Sequence, residues 1–406
     1  MKDNSQTAKR ITVHYAAAFF LYFSAFCMIR SFISVYLVNC GFTYTQVGII
    51  TGIHMFITAA IQPLYSQILD RFPKLNLRSF IALCCIPAMA CSLLTFVLPA
   101  KLLFFIPIYI VFGLCEIGLQ SLIVSAGMEY VNAGIPINAG LGRGFGSMGY
   151  AIANVILGNL IVRYGVPISQ KLNAALLVVL MITILTLPDP AKIGTKTQTD
   201  EEKDEQPSDS IMDFLKKNRV YALFTLSTIF IFIGHSTVNI YMPNIAAQFG
   251  KGSDFTGAVI GMAAALELIP MMFYSQISKK ISSLQLLSIS AIFFSVKMLT
   301  MALAPNAGWL VASNAMQICA YALYAISSIY FTNQAVRPHN RVMAQGLQVG
   351  AGEAGFMIGS LTGGIVLDHS SIRVLLWIGV VVTIAGSAVM LSAISLFRKN
   401  RAAMSN

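Results

Sequence analysis

The chain has 406 residues, 56% of them apolar and only 11% charged, where ordinary globular domains are roughly 25% charged. A mean hydropathy of +0.73 over 44.0 kDa leaves too little polar surface to cover a water-soluble body, so soluble enzymes and soluble binding modules are excluded. The net charge of +11 is no sign of nucleic acid, because its Lys and Arg residues collect in alternate loops. With the N-terminus placed inside, 19 of the 27 fall on the inner face. Five lie outside (Lys101, Arg163, Lys171, Lys251, Arg373), and three within spans, the asymmetry of a multi-span membrane protein.

Twelve apolar spans are predicted, at 12–39, 44–69, 78–98, 102–126, 139–163, 168–188, 220–247, 255–278, 281–304, 308–333, 342–367 and 373–397. Each approaches the ~20 residues that cross a hydrocarbon core as a helix. Backbone groups in lipid must pair within their own segment, and the ten-residue alternation of a membrane barrel is missing. The expected fold is therefore an all-α membrane protein. An even number of spans returns the C-terminal cluster Arg398, Lys399 and Arg401 to the inner side with the N-terminus. Residues 12–39 are too long for a cleavable signal.

The charge is unevenly spread: 13 of 43 charged residues lie between Lys192 and Arg219. This divides the chain into 1–189, a polar tether at 190–219 with too little apolar surface to fold alone, and 220–406. The halves repeat each other. Tyr65-Ser66-Gln67-Ile68 recurs as Tyr274-Ser275-Gln276-Ile277, 209 positions on. Gly144, Gly146, Gly149 and Gly158 recur as Gly350, Gly352, Gly355 and Gly364, 206 positions on. A duplicated six-helix unit follows. Both glycine sets spell G-x-G-x-x-G, but a dinucleotide fingerprint needs a preceding strand and a βαβ unit. Within apolar helices, small residues instead allow close helix packing.

The segment Gln62-Pro63-Leu64-Tyr65-Ser66-Gln67-Ile68-Leu69-Asp70-Arg71 resembles the helix-2/helix-3 signature of the major facilitator superfamily. It is similar in particular to the form found in the lactose permease, oligosaccharide and nucleoside proton symporter branch. Arg143-Gly-Phe-Gly-Ser-Met-Gly-Tyr-Ala, opening the fifth span, and Ser295-Val296-Lys297, in the ninth, resemble further segments of that branch. The resemblance implies two pseudo-symmetric six-helix bundles that alternate access to a central site. It implies a sugar, oligosaccharide or nucleoside as solute and protons as the coupling ion. The chain departs from the branch at Ser66, where glycine is usual. It departs also in the tenth span, where Asn314, Gln317 and Ala320 replace the coupling set, and in the seventh, where His235 and Asn239 stand near the missing aspartates. These departures leave the proton route to other residues.

Ionisable groups within spans are costly and mark function by default. Glu267, Lys297, His235 and Glu353 fall near mid-membrane and are the candidate proton-coupling set. Glu267 leads it, with Pro270 close by to free a backbone carbonyl; the competing reading is a permanent Glu267–Lys297 ion pair locking two helices. Arg143 and Glu116 form the candidate substrate pair, a guanidinium fork suiting hydroxyl pairs, carboxylates or phosphates. Arg30, Asn239, Gln317, Tyr321 and Tyr324 complete the substrate set, the tyrosines sharing one helix face by i,i+3 spacing. Asp70 and Arg71 are candidate gating charges. Seven cysteines without a CxxC pair and five scattered histidines suggest neither metal nor disulfide framework, and no cofactor is expected. Partners expected are the small polar solute and membrane lipids, with no nucleic acid. The chain is expected to be monomeric, in a bacterial-type cytoplasmic membrane with both termini inside. The competing functions are a proton-driven drug or metabolite exporter and a non-transporting receptor or scaffold on the same fold. The chain carries no HExxH, GxSxG or Walker motif, which argues against an enzyme.

Overall fold

A computed structural model of the chain describes residues 2–71, 76–135, 137, 139–190, 210–337 and 340–405. Among the described residues every regular element is helical. In chain order they are α1 (Lys2–Arg30), α2 (Ile33–Asn39), α3 (Tyr44–Arg71), α4 (Leu77–Val97), α5 (Leu102–Phe112), α6 (Gly118–Asn132), α7 (Ala139–Tyr164) and α8 (Ile168–Leu185). Beyond the tether come α9 (Ile211–Lys217), α10 (Arg219–Ala247), α11 (Ser253–Ile277), α12 (Ser283–Ala302), α13 (Ala307–Ala315), α14 (Tyr321–Ala335), α15 (Arg341–His369) and α16 (Ile372–Ser405). Eleven stretches among the described residues are long and apolar enough to cross a membrane. The remaining expected span falls in α3, 28 residues long.

Helix ends obey their local chemistry. Ser282 and Gln285 form a reciprocal capping box at the start of α12, and the Asn306 side chain accepts from Gly308 N at the start of α13 (3.0 Å). Both devices satisfy donors that a first helical turn leaves without partners. At α3 the capping pair Thr43 and Gln46 is supplemented by Asp368, whose two carboxylate oxygens accept from Tyr44 N (2.9 Å) and Thr45 N (2.7 Å). Asp368 sits in the last turn of α15, where a negative charge opposes its own helix dipole. The start of α3 supplies the compensating positive end.

The chain folds into two compact units. One comprises Met1–Phe42, Ala60–Glu202 and Gly252–Gly261; the other comprises Thr43–Ala59, Lys203–Lys251 and Met262–Asn406. Each therefore includes a short stretch from the opposite half of the sequence. Glycine packing explains why. In the first unit a Cβ on Gly158 would collide with Ser253 O, and one on Gly257 with Asn154 O. In the second unit a Cβ on Gly364 would collide with Tyr44 O, and one on Gly48 would stand 2.6 Å from Ser360 O. These two sets are the same contacts displaced by 206 and 209 positions, the offsets of the sequence repeat. Gly149 against Phe20 O and Gly355 against Ile229 O, both at 2.6 Å for an added Cβ, repeat the pattern again. The G-x-G-x-x-G segments are thus helix-packing surfaces lying inside α7 and α15. The loops before α3 and α11 turn on left-handed glycines at equivalent places, Gly41 (φ 98°) and Gly250 (φ 65°).

The first unit is closed off ahead of the tether by Arg78. Its guanidinium donates to Leu187 O (2.5 Å) and pairs with Asp189 (3.1 Å), while Tyr130 Oη donates to Pro188 O (2.5 Å). Much of the tether lies outside the described residues. Its last part differs from expectation in forming α9, because Phe214 finds a partner there: it is fully buried, its ring 5.3 Å from that of Tyr221.

Candidate functional site

The predicted tenth span is broken. α13 ends at Ala315, a single 3₁₀ turn covers Met316–Ile318, and α14 resumes at Tyr321 after Ala320 takes φ −80°, ψ −85°. Irregular backbone at membrane depth needs polar partners from neighbouring helices. Ser290 of α12 supplies one, donating to Ala320 O (2.6 Å), and Ser313 ties α13 to α12 by donating to Lys297 O (2.8 Å). The break presents Gln317, buried at 5% exposure.

Gln317 stands between the acid and the base. Lys297 Nζ of α12 donates to Gln317 Oε1 (2.5 Å), and Gln317 Nε2 donates to Glu267 Oε1 of α11 (2.8 Å). The amide can point only one way, since an ammonium cannot accept and an ionised carboxylate cannot donate. The locking alternative, a direct Glu267–Lys297 pair, does not form; charge is balanced through a neutral amide. Lys297 is buried at 3% exposure, whereas Glu267 is half-buried. Pro270 lies one turn beyond Glu267 inside α11.

His235 of α10 is buried in an aromatic nest. It stacks on Tyr321 (5.4 Å between ring centroids, 15° between planes) and meets Phe232, Phe294 and Phe356 edge-on. Asn239, one turn on, approaches its Nε2 at 3.1 Å and donates to His235 O (2.8 Å). Tyr324 is buried and exchanges a hydrogen bond with Thr228 (3.0 Å). The two tyrosines that share a face on α14 therefore differ. Tyr321 is half-buried against His235, and Tyr324 is committed to α10.

The first unit carries a second irregular span, here widened rather than interrupted. Between α5 and α6, Gly113–Ile117 forms a π-helical turn, a wider loop of backbone that recurs at functional sites. Glu116 lies on it at 2% exposure. Its hydrogen-bond donor is Asn173 of α8, whose Nδ2 reaches Glu116 Oε1 (3.0 Å) and Ala25 O of α1 (2.9 Å). Ser92 Oγ of α4 donates to Asn173 Oδ1 (2.6 Å). One amide thus joins four helical segments. Asn173 and Ser92 were not among the candidates expected from sequence. The sequence offers only that Asn173 falls inside a predicted span, where a polar side chain is placed to bond across helices; it does not say to which partner.

The other candidates are placed as follows. Arg30 ends α1, its guanidinium 5.5 Å from the Phe26 ring centroid, an arrangement that favours the cation electrostatically. Glu353 is half-buried within α15. Arg143 lies in α7, and Asp70 and Arg71 end α3, but their side chains are outside the described residues, so the Arg143–Glu116 pairing falls there too. Among the described residues no group of three or more His, Cys, Asp or Glu side chains gathers as a metal site.

Long apolar helices, two of them with an irregular turn inside the span, define a multi-span membrane protein. The chain belongs to the MFS_1 like family, whose model matches residues 12–391. No curated protein matches it. Among solved structures it is similar to the nucleoside transporter NupG, with a TM-score of 0.75 at 16% identity, covering 95% of this chain and 99% of that one. A single-residue mutant of the same transporter gives 0.80 at 14% identity over 94% and 99%. An auto-inhibited POT family peptide transporter gives 0.71 at 10% identity over 96% and 97%. These likenesses show the major facilitator fold.

Proposed function

We propose that the protein is a secondary active transporter that carries a small polar solute, a nucleoside or sugar, by alternating access coupled to protons. The observation that carries this reading is the broken tenth span, where Gln317 links Glu267 to Lys297. Breaks of this kind near the bilayer midplane, at corresponding places in two repeats, mark solute and ion sites in transporters. The likeness to a nucleoside transporter supports the solute class. In this reading Glu267 carries the proton and Lys297 balances it through Gln317. Solute hydroxyls and ring faces meet Asn239, Gln317, Tyr321 and Tyr324, with His235 and Glu353 as further proton groups. Within the first unit Arg143 and Arg30 are the proposed solute-binding cations, Asp70 and Arg71 act in gating, and the basic loops hold both termini on the inner side of a cytoplasmic membrane. The working unit is the monomer.

The test is uptake of labelled nucleosides and sugars into proteoliposomes under an imposed proton gradient. Glu267→Gln is expected to abolish gradient-driven accumulation while sparing solute exchange. Undiminished accumulation by the variant removes Glu267 from coupling. Gradient-driven efflux in place of uptake identifies an exporter, and no flux for any solute points to a receptor or scaffold.

A further inference from the structure

Glu116 has no task in the proton cycle drawn above, yet its surroundings are those of a functional acid. Its carboxyl lies at 2% exposure on the π-helical turn. Asn173 gives it one neutral hydrogen bond of 3.0 Å. Among the described residues no Lys, Arg or His forms an ion pair with it. Among the described residues the titratable and charged groups around it are Tyr22 from α1, with Arg30 beyond it, Cys85 and Cys91 from α4, and Tyr109 and Cys115 on its own span. Of these only Arg30 is cationic, and its guanidinium lies over Phe26. Asn173 cannot turn to offer more. Its Nδ2 is held by the Ala25 carbonyl, which only accepts, and its Oδ1 by Ser92.

An ionised carboxylate in such a place has no ion-pair partner among the described residues and is shut off from solvent, and a buried group in that position neutralises instead. We propose that Glu116 is protonated in this conformation and forms a second proton-exchange site, held in register by Asn173 and Ser92. The proposal rests on the transport reading for its purpose, but not for its chemistry. The proton arrives from water on one carboxylate oxygen and leaves to water when the π turn is hydrated; no other bond is made or broken. The π turn suits this, because its carbonyls are not all engaged in the regular i→i−4 ladder, and such turns recur at functional sites.

Infrared spectroscopy of the purified full-length protein in lipid at neutral pH tests this without any transported solute. The C=O stretch of a protonated carboxylic acid is expected in the wild-type protein, lost in Glu116→Gln and retained in Glu267→Gln. Asn173→Ala is expected to move that band to higher frequency, since the hydrogen bond to the acid carbonyl is gone. An acid band untouched by Glu116→Gln overturns the proposal. Should that variant not fold, a band that Asn173→Ala leaves in place overturns it instead. Failure to find a solute bears on the transport reading alone and leaves the band to be read.

Discussion

Glu116 and Glu267 are built to one plan with one difference. Each is a carboxylate beside an irregular span, and each accepts from a side-chain amide whose carbonyl accepts from a third group. In the second unit that third group is the ammonium of Lys297; in the first it is the hydroxyl of Ser92. The Lys297 chain is neutral as a whole when Glu267 is ionised, and Glu267 is half-buried. The Ser92 chain is neutral only when Glu116 holds a proton. The difference teaches that burial alone does not set the state of an intramembrane acid. The group at the far end of its hydrogen-bond chain enters as well.

The sharpest way to break the comparison is at that far end. Lys297→Met leaves Glu267 ionised without balance, and removing one partner of a buried pair costs about 3–5 kcal/mol. The lower end applies here, because Glu267 is half-buried. Thermal unfolding is expected to show the largest loss for this variant, and adding Glu267→Gln is expected to restore more than half of it. Losses that simply add would mean that the two charges do not communicate through Gln317.

A smaller effect is expected at Asn173. Asn173→Leu strips hydrogen bonds from Ala25 O, Glu116 and Ser92 at once, and a buried polar group left unpaired costs about 1–3 kcal/mol. The same melting measurement checks it. A loss no greater than that of a lipid-facing substitution would remove Asn173 as the organiser of the first site. The smallest effect distinguishes the two acids most directly. Glu116→Gln replaces a neutral acid with a neutral amide and is expected to change stability by less than about 1 kcal/mol, the net worth of a single hydrogen bond. A fall matching that of Lys297→Met would show that Glu116 is ionised.

Much of this was legible in the sequence, for reasons visible in particular residues. Glu116, Glu267 and Lys297 stood out because charge within an apolar span is costly whatever surrounds it. The glycine repeats were legible as packing because a missing Cβ has one consequence at close approach, as Gly149 against Phe20 and Gly355 against Ile229 bear out. The role of Gln317 as a bridge was not readable, nor was Asn173, because neutral amides reveal their partners only when helices distant in sequence are brought together. The π turn at Gly113–Ile117 and the break at Met316–Ala320 were equally hidden. No proline lies in either one, and the two turns pack against α4 and α12.

By itself the sequence determined a duplicated, all-helical membrane protein with a polar tether, since hydropathy, span length and repeat offset are properties of the chain read in one dimension. Tertiary structure alone decided which groups share a hydrogen bond. Glu267 reaches Lys297 through an amide 50 positions from the one and 20 from the other, and Glu116 meets Asn173 across 57. Hydrogen bonds are short-ranged and directional, so their partners are fixed by the packing of helices and not by the order in which the chain supplies them.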